Sequence, residues 1–82
     1  MKVTKKYFGP CQSALEYFSR GNFKKLIEDY NGAVNDYTNA IRLRPIFWEA
    51  YYQRGNVFSV LVENKKAEND YNKAIELILK YY

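Results

Sequence analysis

Histidine is absent from the 82 residues, cysteine occurs once, at Cys11, and no apolar run approaches the roughly 18 residues that a bilayer span needs. Each shortage excludes something. Without histidine there is no ordinary Ser-His-Asp triad or Cys-His dyad, and a zinc site would have to be built almost wholly from carboxylates. A single cysteine excludes an internal disulfide framework and fits a reduced setting. The opening residues MKVTKKYFG carry lysines with no hydrophobic region behind them, so we expect neither a signal peptide nor a membrane anchor, and a cytoplasmic protein. No glycine-rich phosphate loop occurs. Glu28, Asp29 and Glu63 fall in expected turns, where carboxylates cap helices rather than perform acid-base chemistry. The expectation is a chain that is not an enzyme, with no metal and no cofactor.

What is present suits a small folded domain. Hydrophobic residues make up 48% and charged residues 27%, a balance compatible with a globular core. Aromatics reach 18%, nine of them tyrosines, and each buries much area for a short chain. The formal charge of +4 comes from 13 basic residues set among nine acids. The tight basic clusters are Lys5-Lys6, Lys24-Lys25 and Lys65-Lys66, all read as helix ends or turns. Because the aromatics fall mostly at core positions rather than between the basic ones, nucleic acid is not an expected partner.

Glycine is scarce, yet it stands twice inside segments of helical pattern, in YFSRGN (residues 17–22) and YQRGN (residues 52–56). A helix-interior glycine costs roughly 1 kcal/mol relative to alanine. Laying 14–47 over 48–81 brings the two glycines, Gly21 and Gly55, into register and gives 11 identities in 34. They are Tyr17/Tyr51, Arg20/Arg54, Gly21/Gly55, Asn22/Asn56, Ala33/Ala67, Asn35/Asn69, Asp36/Asp70, Tyr37/Tyr71, Ala40/Ala74, Ile41/Ile75 and Leu43/Leu77. Unrelated segments would share about two, so the chain reads as a duplication, or as two segments under the same constraint.

Each copy has two stripes of apolar residues at steps of three and four. The pattern predicts helices near 11–27, 31–43, 46–61 and 65–80. Ser13 and Glu16 have capping-box spacing, with Pro10 as an alternative first-turn residue of a slightly longer helix. Asp29 to Gly32 supplies the first turn, Arg44-Pro45 ends the second helix, and Glu63-Asn64 marks the last turn. Arg20 with Asp36 and Arg54 with Asp70 are candidate ion pairs between facing helices, or solvated charges. The glycines are expected to let Ala33 and Ala67 of the trailing helices approach the leading ones closely.

A helix-turn-helix unit of this length with these residues resembles the tetratricopeptide repeat (TPR) family. The match rests on Tyr17 and Tyr51, Gly21 and Gly55, Ala33 and Ala67, Tyr37 and Tyr71, Ala40 and Ala74, and the closing Pro45. It implies an all-α fold, a right-handed α-solenoid of four main helices, with residues 1–13 as an N-terminal extension and cap, 14–47 as one repeat and 48–81 as a second that ends in a helix. Lys24 departs from the aromatic that Phe58 supplies, Val62 stands where a helix-ending glycine is usual, and Leu79 replaces the closing proline.

The resemblance also implies a protein–protein interaction module whose leading helices line a concave groove for a peptide or helix of another protein. Asn22 and Asn56 match a groove asparagine that hydrogen-bonds ligand backbone. Spacing adds Leu15, Phe18 and Lys25 from the first copy, with Glu49, Tyr52 and Ser59 from the second. The two-carboxylate clamp of chaperone-tail adapters expects a lysine where Phe18 stands, so that ligand is not expected. A second reading is structural. Ile75, Ile78, Leu79 and Tyr82 remain apolar on the last helix, a surface for capping or for self-association into a homodimer.

Overall fold

In the computed structural model, residues 11–82 are described; Pro10 and the Lys5-Lys6 pair lie outside them. Four helices follow one another, α1 (Ala14–Leu26), α2 (Tyr30–Leu43), α3 (Trp48–Val60) and α4 (Asn64–Tyr81), with no strand among the described residues. Each begins and ends within a few residues of the pattern-based expectation. None is long and apolar enough to cross a membrane.

Local chemistry sets the boundaries. Ser13 Oγ accepts from the Glu16 amide at 3.1 Å while Glu16 Oε1 accepts from the Ser13 amide at 3.0 Å, the expected capping box. Asp29 caps α2 by accepting from the Gly32 amide at 3.0 Å. Pro45 forces Arg44 into an extended conformation, and a turn closed by Phe47 N–H on the Arg44 carbonyl at 3.0 Å starts α3 at Trp48, slightly later than expected. The turns after α1 and α3 are built alike. Glu28 and Val62, at equivalent places in the two copies, take left-handed backbone with φ of 65° and 60°. The next residues, Asp29 and Glu63, donate back to the Lys24 and Phe58 carbonyls at 2.8 Å. These are Schellman closures, which favour glycine because it has no Cβ to clash. With Leu79 in place of a proline, α4 runs for 18 residues, against 14 in α2.

The helices pack as two hairpins, α1 on α2 and α3 on α4, and α3 also packs on α2. Ala14, Ala40, Phe47 and Ala50 form one buried cluster; Ala33, Tyr37 and Val57 form another. Phe18 packs against both and lies between the rings of Tyr37 and Phe47, at centroid distances of 5.8 and 4.8 Å.

The hairpin glycines serve a different neighbour from the one expected. A Cβ on Gly21 would sit 2.8 Å from Cε1 of Tyr37, and one on Gly55 would sit 2.9 Å from Cε1 of Tyr71. The tyrosine rings, rather than Ala33 and Ala67, occupy the space that glycine leaves. A backbone made bare by glycine accepts a large ring, and that contact offsets the helix-propensity penalty.

Candidate protein-binding cleft

Two buried carboxylates lock the hairpins. Arg20 donates to Asp36 through Nε at 2.9 Å and Nη2 at 2.8 Å, and Arg54 donates to Asp70 through the same two nitrogens, both at 2.8 Å. These are bidentate, charge-assisted pairs, so the ion-pair alternative holds over solvated charge. Lys24 adds a second cation at 3.2 Å from Asp36 Oδ2. Phe58 stands at the equivalent place in the second hairpin and instead packs beneath Arg54 and Lys66, 5.8 and 5.5 Å from its ring centroid. Burial raises the Asp36 pKa, but the hydrogen bonds from Arg20 and Lys24 outweigh it and hold the carboxyl below the usual carboxylate range. Arg54 also donates to Thr38 Oγ1 at 3.0 Å, which ties α3 to α2.

Next to these pairs, each asparagine accepts a hydrogen bond from a tyrosine. Tyr37 OH donates to Asn22 Oδ1, and Tyr71 OH to Asn56 Oδ1, both at 2.6 Å. Burial, and then the charge of Asp36, push the Tyr37 phenol up to about 12. Its protonated form is therefore favoured by folding, and the associated stability is present below pH 10 and lost as pH rises toward 12. Both asparagines thus have a packing role beside any role toward a ligand.

An open cavity of about 440 Å³ lies between α3 and α4, lined by Trp48, Tyr52, Asn56, Tyr71, Ala74, Ile75 and Ile78. Its walls are overwhelmingly apolar. Tyr52 and Tyr71 form one wall with ring centroids 5.9 Å apart, and Trp48 meets Tyr52 edge-on at 6.5 Å. The cavity joins two sets of candidates that the sequence treats separately: Tyr52 and Asn56 from the groove, Ile75 and Ile78 from the last helix.

The other candidates lie elsewhere. Phe18 is packed beneath Phe47, Lys25 Nζ donates to Gln53 Oε1 across α1 and α3, and Leu15 and Ser59 are exposed. Glu49 is half-buried, while Leu79 and Tyr82 project from the end of α4. Spacing alone missed Trp48, Tyr71 and Ala74. The signal that finds them is the repeat offset itself, because Ala14, Tyr37 and Ala40 are the first-hairpin residues buried with α3.

Antiparallel helical hairpins stacked in register, with an apolar cleft on the α3–α4 hairpin, define a helical-repeat protein. A model of the family described as "TPR repeat" matches residues 14–59, more than half of the chain, and the chain belongs to that family. Among solved structures, "Crystal structure of MamA" is similar, with a TM-score of 0.81 and 29% identity over 84% of this chain and 40% of that one. The chain thus spans less than half of that structure. No curated protein matches it.

Proposed function

We propose that the chain is a non-catalytic interaction module that binds a peptide or helix of a partner protein, with the α3–α4 cleft as its main apolar contact and Asn22 and Asn56 orienting the ligand along the leading helices. TPR repeats are in general protein–protein interaction modules. The cleft supports the finer reading, since it combines aromatic and aliphatic walls with the Asn56 amide in a preformed concave site. Leu15, Phe18, Lys25, Glu49 and Ser59 complete the candidate groove. Of these, Leu15 and Ser59 are open to a ligand, whereas Phe18 is packed between Tyr37 and Phe47.

Selection from a random displayed-peptide library tests the reading. Selected peptides are expected to lose most of their binding to a chain carrying Tyr52→Ala and Ile78→Lys, provided that the variant keeps its helical circular dichroism. Equal binding to both chains would move the site elsewhere. The second reading, self-association through Ile75, Ile78, Leu79 and Tyr82, is favoured by the exposure of Leu79 and Tyr82, 80% and 78%.

A further inference from the structure

The cleft has an internal precedent. Tyr52, Asn56, Tyr71, Ala74 and Ile75 are the second-copy equivalents of Phe18, Asn22, Tyr37, Ala40 and Ile41. Phe18, Tyr37, Ala40 and Ile41 make the seat in which α3 lies: Phe47 and Ala50 pack against Phe18, Ala40 and Ile41, and Val57 packs against Tyr37. The wall geometry is reproduced, with Phe18–Tyr37 at 5.8 Å and 49° and Tyr52–Tyr71 at 5.9 Å and 51°. One seat is filled, and its copy is open.

Two replacements make the open seat more apolar than the filled one. Trp48 stands for Ala14 and Ile78 for Arg44, whose guanidinium covers Phe47 at 4.7 Å in the filled seat. Chain geometry does not fill it from within the described residues. Pro45 turns the chain so that Phe47 enters the first seat, whereas Leu79 lets α4 continue and leaves Tyr81, the counterpart of Phe47, on that helix and half exposed. A second copy stacked head to tail fits poorly. It would present Ser13 and Glu16 where Phe47 and Ala50 sit, and both are held in the capping box. Placing that carboxylate against the cleft would strip its water and leave it only the Gln12 and Ser13 amides, with no cation in the cleft lining to offset the loss.

We propose that the occupant is an amphipathic α-helix of a partner protein that reproduces the inward face of α3: a large aromatic, a small residue three positions later and a β-branched residue seven beyond that. This deepens, and rests on, the reading of the cleft as a protein-binding site. The helix would lie against α3 and α4 as α3 lies against α1 and α2. The aromatic would be met by Tyr52 and Ile78, and the β-branched residue by Tyr71.

The probe is an acetylated, amidated peptide of residues 46–61 of this chain carrying Trp48→Phe and Gly55→Ala, so that the intact chain's Trp48 is the fluorophore and the free helix gains propensity. Titrated into the intact chain, it is expected to bind saturably at one to one. Phe47→Ala or Val57→Asp in the peptide should weaken binding about tenfold or more, as should Ile78→Lys in the chain. Ile75→Lys serves as a second chain variant should Ile78→Lys unfold.

Failure of this helix to bind, while library-selected extended peptides still bind in a manner sensitive to Ile78→Lys, overturns the helix and leaves the binding site standing. Failure of both overturns both. A dimer that Ile78→Lys dissociates and that the peptide does not disrupt replaces the partner helix with a second copy.

Discussion

At the scale of single residues, one position separates the two hairpin locks. Asp36 faces Arg20 and Lys24, whereas Asp70 faces Arg54 with Phe58 in the place of the second cation. Removing one partner from a buried pair leaves an uncompensated charge, so Arg54→Ala is expected to destabilise the fold by about 3 kcal/mol. Arg20→Ala, with Lys24 still beside Asp36, should cost about half as much. Urea unfolding of the two variants checks the order; equal losses would mean that Lys24 contributes nothing. Because the folded Asp36 pKa is depressed, its contribution is present above pH ~3.9 and is lost as pH falls through the folded value. Asp36→Asn should therefore flatten the acid limb of the stability curve.

Val62 is the other residue-scale exception. A β-branched side chain at φ 60° carries strain of roughly 1–2 kcal/mol, and glycine would remove it at an entropic penalty of about 0.5–1 kcal/mol. Val62→Gly should stabilise by about 0.5–1 kcal/mol and raise Tm by about 3–6 °C in thermal melts. A lower Tm would mean that the valine side chain contributes packing that outweighs the strain.

At the scale of elements, the N-termini of α2 and α4 differ although their turns match. Asp29 caps α2, but the N-cap of α4 is its second-copy equivalent Glu63, whose longer side chain makes no cap hydrogen bond and instead meets Lys66 at 3.0 Å on the surface. Exposed pairs of that kind add little. Glu63→Asp is expected to restore a bond to the Lys66 amide and to stabilise by about 0.5–1 kcal/mol, read as a higher urea midpoint at unchanged slope.

The helices themselves were legible in sequence because proline, the capping box and the three-four stripes act locally. What each glycine accommodates was not legible. Helical spacing puts Ala33 and Tyr37 on the same face of α2, and the packed hairpin then brings the ring against the bare backbone. The tyrosine hydrogen bonds of Asn22 and Asn56 are not legible in sequence for a similar reason, since the donors lie far along the chain on another helix.

At the scale of the molecule, each hairpin offers the next the same seat, and the α3–α4 cleft is the copy of a seat already in use. Half of it was visible beforehand, as Tyr52, Asn56, Ile75 and Ile78. The remainder needed the packed first hairpin to show that groove and end face are one surface. This surface is expected to be free in the isolated chain and to take a different protein. Light scattering over a tenfold concentration range, repeated with Ile78→Lys, tests it most directly. The monomer mass is expected throughout for both chains; a dimer that grows with concentration and vanishes with the lysine would contradict this and make the cleft a contact between copies of this chain.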